Sequence, residues 1–151
     1  MSLSQMVNAA IDRPEILVAE DNPADVRLIR EALRGLDPAP CMHAVTNGEE
    51  ALEFLRQHQE QLPVLLFLDF HLPKTDSAEV LRKIKTDERL CGVAVVVLTT
   101  WEVEETIWEA YRLGANCYLS KPSDLEEFLY TIRSATSYWL GLAAHHRASA
   151  G

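Results

Sequence analysis

The chain has 151 residues, 48% hydrophobic and 25% charged, the balance of one globular domain that folds without disulfides or a structural metal. Twenty-three Asp and Glu against fourteen Lys and Arg give a net charge of −9 with no basic run, which excludes nucleic acid and anionic lipid as partners. Cys41, Cys91 and Cys117 lack metal or redox spacing, Met1 to Asp12 lacks signal-peptide character, and no stretch is long enough to span a membrane, so a cytoplasmic protein with reduced thiols is expected.

Apolar runs too short for helices alternate five times with stretches of helical period. The first, Ile16 to Ala19, stops at Glu20-Asp21-Asn22-Pro23, and Val26, Ile29, Ala32 and Leu33 then mark a helical face ending at Gly35. The second, Cys41 to Val45, precedes Asn47, a good N-cap with Glu50 three residues on, and Ala51, Leu52, Phe54 and Leu55 follow as a buried face. Val64 to Leu68 is continuous apolar sequence, as in a central parallel strand covered on both sides, and it ends at Asp69. Asp76 and Glu79 offer another capping box before Val80, Leu81 and Ile84. The fourth run, Val93 to Leu98, ends at Thr99-Thr100, and a helix through Ile107, Ala110 and Tyr111 closes at Gly114. The last strand, Cys117 to Leu119, leads to Lys121-Pro122, and a final helix begins near Asp124 with Leu125, Phe128, Leu129 and Ile132 as its buried stripe.

Five such units predict an α/β, doubly wound five-stranded parallel sheet of flavodoxin-like order 2-1-3-4-5 with five helices. An N-terminal segment over 1–14, a domain over 15–143 that includes an extended last helix, and a flexible tail over 144–151 complete the organisation. Every strand's C-terminal end comes to one rim, where this fold binds ligands.

That rim collects Glu20 and Asp21 after the first strand, Asp69 after the third, Thr99 after the fourth and Lys121 after the fifth. A lone acid at a strand end is usually a cap or a solvated turn residue, but no structural reason brings a hydroxyl and a lysine to join three acids. Clustered carboxylates relieve their repulsion by raising a pKa or binding a cation. Mg2+ takes one or two carboxylates plus water and phosphoryl oxygens, which suits Glu20 and Asp21 and leaves Asp69 free to react.

This set resembles the receiver domain of two-component response regulators over Glu15 to Ser137. Glu-Asp-Asn-Pro-Ala-Asp-Val-Arg-Leu from Glu20, Leu-Pro-Lys from Leu72, Val-Leu-Thr-Thr from Val97 and Leu-Gly-Ala-Asn-Cys-Tyr-Leu-Ser-Lys-Pro from Leu113 resemble the short, free-standing regulators that partner phytochrome-type histidine kinases, as does the closing Tyr138-Trp139-Leu140. The resemblance implies phosphoryl transfer from a sensor kinase histidine to Asp69. It further implies Mg2+ held by Glu20, Asp21, the Asp69 carboxylate and the His71 backbone carbonyl, with Thr99 and Lys121 engaging the phosphoryl oxygens and Tyr118 as the switch aromatic. Such a chain is a phosphoacceptor that assists its own phosphorylation and dephosphorylation rather than an enzyme. An acyl phosphate on an aspartate is sound chemistry, and the protein contributes mainly positioning and charge.

The chain departs from the family at Ser77, where glycine is usual; if that turn needs a positive φ, serine is strained. Trp101 and His71 occupy the positions that flank the phosphorylation site. Tryptophan there shields a phosphoryl group and slows hydrolysis, whereas an imidazole orients or deprotonates water and speeds it. The final helix consumes the chain, so the signal is expected to leave by protein contact. Tyr138, Trp139 and Leu142 extend the helix's apolar surface past the sheet and are candidates for a homodimer contact, the alternative for Trp139 being a fold back onto its own domain.

Rival readings differ in what they require. A flavin-binding module needs a Ser/Thr/Gly-rich phosphate cradle where Glu20-Asp21 would repel phosphate, and an aspartyl-nucleophile phosphatase usually carries a second acid where His71 stands. A receiver-like docking or scaffold module that no longer uses phosphate is favoured by Ser77 and Trp101 and opposed by the complete set of five rim residues.

Overall fold

A computed structural model describes residues 13–100 and 104–150 of the chain. The five apolar runs form strands β1 (Glu15–Ala19), β2 (Cys41–Val45), β3 (Leu65–Asp69), β4 (Ala94–Thr99) and β5 (Cys117–Ser120). Between and after them lie helices α1 (Pro23–Arg34), α2 (Gly48–Gln57), α3 (Ser77–Thr86), α4 (Glu104–Arg112) and α5 (Leu125–Ala150). All strand pairs are parallel, in the order β2-β1-β3-β4-β5, as the alternation predicts.

Side-chain alternation divides the core between the two faces of the sheet. Leu17, Ala19, Leu66, Leu68, Val95 and Val97 pack with α2 and α3, while Ile16, Val18, Leu65, Phe67, Val96 and Leu98 pack with α1 and α5. Each fully buried Leu, Val or Phe contributes about 1.5–3 kcal/mol of burial, which explains why the central strands read as unbroken apolar runs.

Polar side chains at the helix starts fix where each helix leaves the rim. Asn22 accepts from the Ala24 N–H at 2.9 Å ahead of Pro23, Asn47 accepts from the Glu50 N–H at 2.8 Å, and Asp124 accepts from the Glu127 N–H at 3.0 Å. At α3 the expected capping box is half made. Asp76 accepts from the Glu79 N–H at 3.2 Å, but the Glu79 carboxylate turns to Arg82, whose Nε lies 2.9 Å away, because a guanidinium one turn on offers stronger donors than the cap backbone.

Two further expectations change. Leu125, read as part of the buried stripe of the last helix, is 51% exposed. It stands at the very start of α5, lining a cleft with Phe128 at the rim. The last helix also continues through 144–150, the stretch expected to be a tail. Ala143, Ala144, Ala148 and Ala150 carry the highest helix propensity there, and no Gly or Pro interrupts them.

Candidate functional site

The sheet ladder itself sets the rim residues side by side. The Glu20 N–H donates to Val45 O at 3.0 Å, Asp69 is the last residue of β3 opposite Leu98, and the Lys121 N–H donates to Thr99 O at 2.7 Å. The three chain positions are therefore fixed by backbone hydrogen bonds before any side chain interacts.

At this rim the Lys121 ammonium lies 2.5 Å from Glu20 Oε2, 3.0 Å from Asp25 Oδ2 and 3.3 Å from Asp69 Oδ2. Glu20 Oε1 accepts from the Asn22 N–H at 3.1 Å. The Asp69 carboxylate is held at both ends, since its Oδ1 accepts from the His71 N–H at 2.9 Å while Oδ2 faces Lys121. Glu20 is 1% exposed and Asp69 6%, so both acids sit where an uncompensated charge would be costly.

Burial is the main reason the Glu20 carboxyl is pushed up to about 7; Lys121 pulls it back in part, and Asp69 adds to the rise. For Lys121 burial acts in the opposite sense, pulling the ammonium down. The Glu20 hydrogen bond, the charges of Asp69 and Glu20 and the Asp25 hydrogen bond more than reverse this, so the lysine stays protonated well above its ordinary range.

Asp21 is exposed, and one carboxylate oxygen each from Glu20, Asp21 and Asp69 lies within 4.8 Å of the others. Three convergent carboxylates with no nitrogen or sulfur among them fit a hard divalent cation such as Mg2+. The site can therefore hold a cation against one carboxylate and offer a fixed ammonium to an anionic group beside it. Two clefts flank it, one of about 420 Å3 along Asp25, Leu28, Thr100 and Lys121, and one of about 500 Å3 along Asp21, Asn47, Lys74 and Thr75.

Thr99 is fully buried at the end of β4, one residue past the Asp69–Leu98 pair. Tyr118 is half-buried in β5, against the core layer of α2 and α3, and His71 is exposed beside Asp69. Trp101 lies outside the described residues. Ser77 is neither strained nor exposed: the positive φ in this loop falls on Lys74, at 56°, and Ser77 is 3% exposed with its hydroxyl donating to Asp69 O at 2.9 Å. The departure from glycine thus adds a hydrogen bond to the backbone of Asp69. At the far end of α5, Tyr138 and Leu142 are exposed, whereas Trp139 is half-buried against the layer of α1 and α5.

Sequence reasoning missed Asp25. It stands in the first turn of α1, five residues after Glu20, where an acid reads as an ordinary partner of the helix dipole. The signal that could have found it is that α1 starts at the rim, so its first turn borders the site.

Among proteins of known family, residues 16–133 match the response regulator receiver domain. The chain is 40% identical over 129 residues to the probable methanogenesis regulatory protein FilR2 of Methanothrix harundinacea, covering 83% of each. The crystal structure of the phosphorylated cyanobacterial phytochrome response regulator RcpA is similar with a TM-score of 0.79 at 39% identity, covering 85% of this chain and 94% of that one. The Mn(2+)-bound form of response regulator Rcp1, a protein of Synechocystis, matches with a TM-score of 0.77 at 37% identity, covering 84% and 94%.

Proposed function

The chain belongs to the response regulator receiver domain family, whose members are phosphoaccepting signalling modules, and from that premise we propose that Asp69 is its phosphoacceptor, with Mg2+ held by Glu20, Asp21 and Asp69. The observation that carries this reading is the Asp69 carboxylate itself, buried and pinned between the His71 N–H and the Lys121 ammonium, with two further carboxylates converging on it.

In the reaction an Asp69 carboxylate oxygen forms a bond to the phosphorus of a kinase phosphohistidine. The phosphorus–nitrogen bond breaks and its electron pair stays on that nitrogen, and the ring leaves as neutral imidazole because its other nitrogen carries a proton in the phosphohistidine. Glu20, Asp21, Asp69 and the His71 backbone carbonyl would hold Mg2+ in this reading, and the ion would supply positive charge to offset the phosphoryl group's negative charge. Lys121 offers an N–H to one phosphoryl oxygen, and Thr99, brought to the same rim by β4, offers its hydroxyl to another. Tyr118, on the strand that carries Lys121, is the side chain through which a shift of Thr99 passes to the α4–β5 surface. His71 and Trp101 set the lifetime of the product in this reading.

The donor in this reading is a cytoplasmic sensor histidine kinase of the phytochrome type, supported by the similarity to RcpA and Rcp1. The test is to load such a kinase with labelled phosphate and add the chain. Label should leave the kinase for the wild type and stay on the kinase with Asp69→Asn; transfer to both would refute the site. We further read the outer face of α5 around Tyr138 and Leu142 as a contact with a second copy, because both side chains are exposed on a helix that outruns the sheet.

A further inference from the structure

We propose that Asp25 is a positioning residue for Lys121: in the resting protein it occupies one of the ammonium's three N–H donors, and it thereby limits how readily the lysine turns to a phosphoryl group on Asp69. This rests on the reading of Asp69 as phosphoacceptor and adds a residue outside the rim set of Glu20, Asp21, Asp69, Thr99 and Lys121.

A lysine ammonium has three donors and accepts nothing. Here three carboxylates use them, at 2.5 Å from Glu20, 3.0 Å from Asp25 and 3.3 Å from Asp69. The three contacts are not equivalent. Glu20 is almost fully buried and held on its other oxygen by the Asn22 N–H, so it cannot leave without stranding a polar group. Asp69 is the weakest contact, and the proposed reaction replaces it with a phosphoryl oxygen. Asp25, with its side chain 23% exposed, is the partner that water can solvate most cheaply on release.

A phosphoryl group brings several anionic oxygens to a site where one donor is committed to α1. Lys121 does not need Asp25 to stay in place, because the Glu20 contact and the Lys121 N–H to Thr99 O bond, at 2.7 Å, both remain. The net effect of Asp25 is therefore competition: it holds a donor and adds a negative charge beside the incoming group. It also makes α1 a mechanical partner of the site, since the contact joins the first turn of α1 to the end of β5 across 96 residues of chain. Asn at this position keeps the shape and removes the charge, while Glu keeps the charge on a longer arm.

The test uses the full chain with acetyl phosphate at rising concentration in saturating Mg2+, following labelling and, after removal of the donor, loss of label. Asp25→Asn should raise the limiting labelling rate about fivefold and lengthen the half-life of the labelled form, as expected for removing one charge competing at hydrogen-bond distance. Asp25→Glu should return both towards the wild type, which a merely structural role would not produce. In urea unfolding, a double-mutant cycle of Asp25→Asn with Lys121→Met should show favourable coupling. A wild type that is labelled on Asp69 while Asp25→Asn is labelled no faster, or a cycle without coupling, overturns the proposal and leaves the phosphoacceptor standing. A wild type that takes no label overturns both.

Discussion

The Ser77 hydroxyl donates to the backbone carbonyl of Asp69 at 2.9 Å, with both residues buried. Where the family usually has glycine, this chain ties the first residue of α3 to the last residue of β3. Replacing Ser77 by Ala leaves the carbonyl without that donor and should lower unfolding stability by about 1–2 kcal/mol. Ser77→Gly loses the same bond and adds backbone freedom, so it should be at least as destabilising. Urea titration of the two variants checks this, and a Gly variant as stable as the wild type would show that the hydroxyl contributes nothing.

Glu20 gives the metal-free protein a distinct pH dependence. Its carboxyl, at about 7 in the fold against an ordinary 4.5, binds a proton more tightly folded than unfolded. The stability it contributes is therefore fully present below pH 4.5 and lost as pH rises through about 7. In EDTA, the wild type should lose stability relative to Glu20→Gln across that window. A difference of opposite sign would contradict a burial cost at Glu20 that outweighs its pairing with Lys121.

On the proposed ligand set, the same proton competes with a cation for Glu20. Apparent Mg2+ affinity should be about tenfold weaker at pH 6 than at pH 8 and level off above, because a carboxyl at about 7 is ionised to roughly one-tenth at pH 6 and roughly nine-tenths at pH 8. Calorimetric titration at the two values checks this. Equal affinities would remove Glu20 from the ligand set.

Gly48 is required by close packing. A Cβ built there would lie 2.4 Å from Val80 Cγ2 and 2.5 Å from Thr75 Cγ2, where α2 begins against α3 and the loop that carries Lys74. Gly48→Ala should cost about 1–3 kcal/mol by overpacking despite the better helix propensity of alanine. Adding Val80→Ala opens only half the clash, so the double variant should show partial relief in the form of less than additive loss. Strict additivity would mean that the two positions do not touch.

The α5 extension separates contact from core. Tyr138→Ser with Leu142→Ser should convert a sedimenting dimer to monomer at little cost in stability, because both side chains are exposed. Trp139→Ala should instead lower stability, since Trp139 packs on the layer of α1 and α5. A monomeric wild type would end the dimer reading.

Periodicity carried most of the architecture. β2 ends where the apolar run ends, and the other strands differ by a residue or so at a terminus, because short apolar runs bounded by polar residues have few other folds open to them. The rim acids and Lys121 were readable for the same reason: they mark strand ends, and the fold brings strand ends together. What stayed hidden depends on three-dimensional detail that no period encodes. Asp25 reads as a helix-dipole acid until α1 is seen to start beside Lys121, and Ser77 reads as strained until the positive φ is seen at Lys74. Leu125 obeys the stripe of α5 yet lies outside the core, because helical phase says which side a residue faces and not how far the sheet extends beneath it.

The most direct test of Asp69 as phosphoacceptor is intact-mass measurement after incubation with acetyl phosphate, with and without Mg2+, on the wild type and Asp69→Asn. The expected result is a gain of one phosphoryl group that requires Mg2+, is lost at alkaline pH as an acyl phosphate should be, and is absent from Asp69→Asn. The same gain in the Asn variant, or no gain in the wild type where a control receiver is labelled, would contradict it.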